Sequence, residues 1–421
     1  RRRAMRGRDR RERLQSLLDL VRAMRGWSRG ELSAALGRDP TKLVPASGNP
    51  KLDLVLRLAR VMEWSPGEVL EAIDGDPVAE AWMPPAVHRA IPEDLGELAA
   101  FLETARRERR WDVLRGAGVA MRRDADDPDR RALADHVVAS AWAGMGCFAC
   151  SLAAAQRGLG ESGLHFGTRS LLSLDAAAAH YALWNLVESH AIATDLLLSL
   201  ERRSSEDRLS RLIVASARSI RGHARRRLAA EEHQAGDPHA ESACDDLAAA
   251  EREFRWLHED FADPADLARA HVCRGGWLEC RARLDGSVRR VLEAIVEGLD
   301  EVVDIERVSD PDLLEAHGWW CIFGANLALR LGEDPSGQQP MAILTNKCFE
   351  IADRLDHWAM RERSFTLEHF RRQRAWGGED QFDQWVLDAE DLRVLMGTMG
   401  RFPRFREVGW RIISLAGFVD G

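Results

Sequence analysis

Long apolar runs are missing from this sequence. No stretch approaches 18 consecutive apolar residues, so no membrane-spanning helix is expected. No apolar segment follows the charged first residues, so no secretory signal is expected. Seven cysteines, an odd number without framework spacing, argue against a disulfide scaffold and point to a reducing cytoplasm. Tyrosine occurs once, at Tyr181, and lysine three times, at Lys42, Lys51 and Lys347. The signatures of common enzymes are absent: there is no HExxH, no GxxxxGK[ST], no GxSxG and no GxGxxG after a strand. Cys147-Phe148-Ala149-Cys150 is a lone CxxC in an Ala/Gly-rich run. His317 and Cys321 share a helix face, and His271 lies near Cys273, but neither pair has an adjacent third ligand. No enzyme, no cofactor and no metal site is expected.

Charge is divided unevenly along the chain. Residues 1–75 carry 16 basic and 10 acidic side chains, a net of +6, whereas the whole chain is at −9. A basic beginning on an acidic body fits a protein that meets phosphate at one end only. Eight arginines among the first 13 residues supply much of it. Residues 1–10 read as a basic arm able to follow a DNA backbone, the alternative being a solvated tail.

The most informative stretch is WSRGELSAALGRDPTKLVPASGNPKLDLVLRLARVMEWSPGEVLEAI, residues 27–73. Ser28 with Glu31, and Ser65-Pro66 with Glu68, are capping boxes that open helices. Leu36-Gly37 closes the helix that Ser28 opens, and Asn49-Pro50 opens another with Leu52, Val55, Leu58, Ala59 and Met62 on its apolar face. Before them, residues 11–25 form a helix with a stripe at Leu14, Leu17, Leu18, Val21 and Met24. Trp27 and Trp64 are expected in the core of this domain. Two short helices around a Gly-containing turn make a helix-turn-helix.

On those residues, 11–74 resembles the lambda-repressor-like (Xre-type) domain. The resemblance implies five helices, with the recognition helix at residues 40–46. It also implies double-stranded DNA as partner, contacted through Arg29, Arg38, Thr41 and Lys42, with Ser47, Asn49 and Lys51 meeting phosphate at the next helix start. Pro45 falls inside that recognition helix, where a proline costs ~3 kcal/mol and usually ends the helix.

Residues 75–92 read as a linker: Asp74-Gly75-Asp76-Pro77 breaks the preceding helix and Pro84-Pro85 blocks another. From 93 to 421 the sequence reads as about a dozen helices, so the fold class is all-α. Asp-Pro-acid marks recur, as in Asp127-Pro128-Asp129, Asp237-Pro238, Asp263-Pro264 and Asp310-Pro311-Asp312, each a cap, an N1 proline and a first-turn carboxylate. Stretches such as ALRLGEDPSGQQPMAILTNKCFEIADRL and FRRQRAWGGEDQFDQWVLDAEDLRVL resemble degenerate tetratricopeptide repeats, which implies an α-solenoid of paired helices. Residues 174–203 and 207–232 read as helices longer than such repeats usually have.

One cluster stands out: His180, Tyr181, Trp184, Asn185, Glu188 and His190. On a continuous helix, Tyr181, Trp184, Asn185 and Glu188 share a face and are the candidate effector-binding residues; the alternative is a satisfied polar network between helices. The aromatic run Trp319-Trp320-Cys321-Ile322-Phe323 is expected in the core. Together these features resemble peptide-sensing regulators that join an Xre-type domain to tetratricopeptide-like repeats. The expectation is a DNA-binding transcriptional regulator, homodimeric, with a peptide or protein effector held by the solenoid and no membrane association. The alternative is an interaction scaffold whose small domain docks protein.

Overall fold

A computed structural model describes residues 10–11, 13–15, 17–19, 21–22, 25, 27–45, 49–62, 66, 69–70, 73, 101–102, 104–201, 207–231, 238–300, 308, 310–331, 335–374 and 385–418. The fold is all-α. The chain forms two compact units, Arg1–Pro85 and Ala86–Gly421. The expected arm at 1–9 and the linker at 75–92 lie outside the described residues, as do Trp64 and most of the second capping box.

In the small unit the described residues between 10 and 25 are helical, followed by α1 (Arg29–Ala35) and α2 (Leu52–Met62). Ser28 and Glu31 form the capping box: the Glu31 amide donates to Ser28 Oγ at 3.2 Å and the Ser28 amide to Glu31 Oε2 at 2.7 Å. Gly37 ends α1 at φ 57°, and the Arg57 guanidinium packs where a Cβ would stand, so only glycine fits. The core gathers Leu14, Leu18, Leu32, Leu36, Leu54 and Leu58, with Trp27 packed against it. The expected recognition helix is corrected here. Residues 36–44 run as turns and bends, and no α-helix forms before Pro45. Leu43 is buried in the core from within this turn. Asp39 organises it, accepting from the Thr41 amide at 2.8 Å and from its hydroxyl at 2.6 Å.

The large unit is an array of helices: α3 (Trp111–Asp124), α4 (Pro128–Gly144), α5 (Phe148–Leu159), α6 (Phe166–Ala182), α7 (Leu186–Glu201), α8 (Arg208–Glu231) and α9 (Pro238–Phe261). Then come α10 (Pro264–Asp285), α11 (Val288–Asp300), α12 (Pro311–Arg330), α13 (Pro335–Arg354), α14 (Trp358–Arg374), α15 (Ala389–Arg401) and α16 (Arg406–Leu415). Described residues 101–102 and 104–107 are also helical, and a short 3-10 turn, Pro403–Phe405, joins α15 to α16. Asp127, Asp263 and Asp310 each accept a backbone N–H two or three residues on, with proline at the first helical position. Neighbouring helices pack in sequence order, and α4 with α6, α6 with α8, α10 with α12 and α12 with α14 also touch. That is the nearest-neighbour logic of a solenoid.

Two expectations change. Residues 174–201 fall in two helices, α6 and α7, separated by a turn at 183–185; 208–231 is one 24-residue helix. The second repeat-like segment is not a helix pair. After α14, residues 385–387 form strand β1 (Trp385–Leu387), which pairs parallel with β2 (Ala416–Phe418). Trp385 and Leu387 point into a cluster with Phe365, Leu395, Phe402 and Phe405.

The two ends of the array meet. Arg401 Nε donates to the Met145 carbonyl at 3.2 Å, and the Phe148 and Phe402 rings lie 5.8 Å apart. Arg109 Nη2 pairs with Glu315 Oε2 at 2.6 Å. The array is therefore closed on itself.

Between α4 and α6, His136 Nδ1 lies 2.6 Å from Asp175 Oδ2. Burial works against the imidazolium, but Asp175 outweighs it and holds the His136 pKa above its ordinary value. The contribution is then complete below the unfolded pKa and is lost as pH rises through the folded one. The stability difference between the protein and His136→Gln should shrink from pH 6 toward pH 8, on top of the opposite trend from histidines held below their ordinary value such as His223; a difference that does not change with pH would remove His136 from the account.

Candidate ligand cavity and DNA-facing segment

A cavity of about 310 Å³ lies where helices of the array begin and end. Its rim is made by helix termini of one kind. The stretch before α3, and α4, α6 and α13, each end in a left-handed residue: Arg109 (φ 54°), Gly146 (φ 72°), Trp184 (φ 66°) and Asp356 (φ 48°). In each case the following amide reaches back to close the last turn. Arg110 bonds the Ala105 carbonyl, Cys147 that of Trp142, Asn185 that of His180 and His357 that of Ala352. This is the Schellman arrangement, whose left-handed position is usually glycine. At Gly146 a Cβ would lie 2.6 Å from Trp358 Cβ. Holding a side-chain residue left-handed costs ~1–2 kcal/mol, and three sites here sustain that cost.

Arg109, Gly146, Trp184 and His357 all line the cavity, with Tyr181, Trp319, Trp358, Phe402, Arg227 and Arg363. Its wall is ionic on one side. Glu315 takes Arg109 at 2.6 Å and His357 Nε2 at 3.3 Å. Burial would raise the Glu315 pKa, but His357 and Arg109 together hold it well below the carboxylate range. A second cavity of about 450 Å³ shares Arg109, Trp111, Glu315 and Trp319 with the first.

Another wall includes Arg227, the last of three consecutive arginines of α8 that point about 100° apart around the helix. Arg225 pairs with Asp246 at 2.7 Å. Arg226 pairs with Glu279 at 2.6 Å and packs over Phe323 at 4.9 Å. Arg227 finds no carboxylate among the described residues. It reaches the Tyr181 carbonyl at 3.4 Å and lies over the Tyr181 and Trp184 rings at 4.0 and 4.3 Å. Only 8% of Arg227 is exposed, and burial pulls its pKa down to about 10, with Arg363 and Arg226 adding to the fall. Arg363 caps the same indole at 5.1 Å and donates to Asn326 Oδ1 at 3.3 Å.

Of the four residues read as an effector face, the structure brings together two. Tyr181 and Trp184 line the cavity. The helix ends at Ala182, so Asn185 and Glu188 do not continue that face; both are exposed at the start of α7 and outside the cavity lining, and Asn185 contacts His180 Nδ1 at 3.3 Å. The larger omission was the arginines. The one sign of them is the run Arg225-Arg226-Arg227 inside an Ala-rich helix, where three charges cannot all face water. In the aromatic run, Cys321, Ile322 and Phe323 are buried, while Trp319 is partly exposed and lines the cavity. Cys150 and Cys321 are buried, and among the described residues no group of three potential metal ligands comes together.

In the small unit, Arg29, Thr41, Lys42, Asn49 and Lys51 are exposed, and Ser47 lies outside the described residues. Several are already engaged. Arg29 Nη2 donates to the Pro40 carbonyl at 3.2 Å, Arg38 forks onto Asp53 at 2.6 Å, and Asn49 Oδ1 accepts from Arg10 at 3.3 Å. Thr41 is tied to Asp39, whose carboxyl its hydroxyl and amide hold below the usual range.

No protein-family model matches the chain, and no curated protein matches it. Among solved structures, that of Bacillus thuringiensis PlcR in complex with the peptide PapR7 and DNA aligns over 69% of this chain and 95% of its own. Identity is 12% and the TM-score is 0.37, too low for the likeness to carry an argument.

Glu315 joins the two ends of the array. Glu315→Gln should leave Arg109 and His357 without their anion and cost about 1–3 kcal/mol, since the pair is only partly buried. Chemical denaturation followed by helix content measures this, and a loss below about 0.5 kcal/mol would make the pair a surface one.

Proposed function

We propose that this chain is a cytoplasmic, non-enzymatic DNA-binding transcriptional regulator. Its small unit contacts double-stranded DNA, and its helical array holds an effector and carries the contacts of a homodimer. The observation that carries the reading is the exposure of Lys42 and Lys51, two of the three lysines in the chain, the first within the turn after α1 and the second just before α2. They belong to a segment with net charge +6 in an otherwise acidic chain. Contact through a turn would be mainly to phosphate, because base reading requires an element seated in the major groove. The effector half of the reading rests on the aromatic and arginine-lined cavity.

A protein-docking role for the small unit is the second reading. It is favoured by the same turn, in which Arg38 is paired with Asp53 and the Asp39 carboxylate stands beside Thr41.

Binding of the full-length protein to short duplexes at two salt concentrations separates the two. A regulator of this kind should lose affinity steeply with salt, and Lys42→Ala and Lys51→Ala should each lower the slope of log affinity against log salt by about one. Absence of binding at low salt would favour the docking role.

A further inference from the structure

Arg227 is the least expected residue of the large unit. Its neighbours in the α8 run are each matched by an acid, Arg225 by Asp246 and Arg226 by Glu279. Arg227 is as buried as Arg226 (8% against 6% exposed) and has no such partner among the described residues. A buried cation costs several kcal/mol unless an anion accompanies it. Stacking on Tyr181 and Trp184 returns part of that, ~0.5–2 kcal/mol for each ring. Glu362 lines the same cavity and its charge favours the Arg227 cation, but the two form no ion pair; the Glu362 carboxylate accepts the Thr366 hydroxyl at 3.2 Å. Glu315 is occupied by Arg109 and His357.

Arg363 repeats the pattern more weakly. Its one side-chain hydrogen bond is to an amide oxygen, and its guanidinium lies within about 5 Å of the indole that Arg227 covers. Three arginines, Arg227, Arg363 and Arg404, thus converge on one ring, and among the described residues the first two form no ion pair with a carboxylate. The ring is Trp184, held left-handed where glycine is usual. The cavity in front of it has aromatic walls from Tyr181, Trp319, Trp358 and Phe402 beside the paired Arg109, Glu315 and His357. Planar guanidiniums suit a carboxylate, and flat aromatic walls suit a flat apolar body.

We infer that this cavity binds a small organic acid, one carboxylate on a flat apolar body, with the carboxylate between Arg227 and Arg363 and the body against Tyr181 and Trp184. A volume near 310 Å³ is at the small end for ligand sites and suits one compact molecule rather than an extended peptide. The inference rests on the effector half of the proposed function and is independent of DNA binding.

The test uses the full-length protein without DNA, with phenylacetate, its uncharged isostere phenylacetamide, and the tripeptide Ala-Ala-Phe as probes. Affinity is read by calorimetry and Tm by thermal melting. Phenylacetate should bind and raise Tm, and phenylacetamide should bind at least about 10-fold more weakly, since the charge-assisted bonds are lost. Arg363→Gln should weaken phenylacetate about 10-fold. Arg227→Met should abolish binding and, by removing an uncompensated buried charge, raise the Tm of the ligand-free protein. Equal binding of acid and amide, a lower Tm for Arg227→Met, or no response to phenylacetate up to about 10 mM would overturn the inference. Tighter binding of the tripeptide than of phenylacetate would also overturn it, by assigning the carboxylate to a peptide terminus. Because no DNA is present, failure of the DNA-binding reading leaves each of these outcomes as it stands.

Discussion

Closure of the helical array on itself is the constraint from which the cavity follows. An open solenoid exposes a continuous face, and each repeat touches only its neighbours. Here Arg109, before α3, reaches Glu315 on α12, and Phe148 meets Phe402. These contacts are distant in sequence, so loop-closure entropy opposes them and local propensity cannot supply them. What they adjoin is a space bounded by helix ends as well as by helix faces. Helix ends carry unsatisfied backbone groups and therefore caps, and four left-handed caps converge here. A glycine at every one would be the least strained solution. Three are Arg109, Trp184 and Asp356, so the positions that define the rim keep side chains, and two of those side chains line the cavity.

Electrostatics then divides the cavity into a satisfied half and an unsatisfied half. Glu315 has two cations, and its carboxyl is held strongly ionised in spite of burial. Arg227 has aromatic faces and a carbonyl. Both are arrangements of charge in a low-dielectric setting, but a closed ion pair is a structural solution, whereas an unpaired buried cation leaves capacity for an anion. Burial drives the Arg227 pKa down to about 10, which still leaves it charged at neutral pH. Losing the proton is therefore no escape from the desolvation cost, and an external carboxylate lowers it. His223 beside it is the contrasting case. It is fully buried against Phe323, with neither ring nitrogen hydrogen-bonded, and its pKa lies well below the ordinary value, so it sits there neutral. A histidine can shed its charge where an arginine cannot.

The features legible in the sequence were the local ones. The Ser28–Glu31 capping box and the Asp-Pro starts at Asp127, Asp263 and Asp310 are fixed by residues three or fewer apart, and each forms as expected. Periodicity likewise placed Leu14, Leu18, Val55 and Leu58 in the small core. The candidate site was only partly legible. Tyr181 and Trp184 could be singled out by composition, but a continuous helix through residue 188 could not be told from two helices joined by a left-handed Trp, because nothing marks tryptophan as a cap. Arg227 lies more than 100 residues before His357 and Arg363, which sit at the start of α14, and only the packing of distant helices brings them together. Strand β1 was missed because three residues have no readable period and its partner follows only after two intervening helices.

The two interior prolines show how much a local rule depends on what surrounds it. Pro340 lies within α13, where it removes a hydrogen bond and crowds the preceding turn. The helix persists because Met341, Leu344, Cys348 and Ile351 bury their side chains against α12 and its neighbours. Four buried apolar side chains contribute several kcal/mol, more than the ~3 kcal/mol a proline costs. Pro45 sits in a segment with little to offset it. Of residues 40–45, only Leu43 is fully buried, and Asp39 already offers the backbone an alternative set of hydrogen bonds through Thr41. The same residue type therefore leaves a helix intact in one unit and coincides with a turn in the other. In the small unit that turn stands where a helix was expected around Thr41 and Lys42, and Lys42 and Lys51 remain exposed.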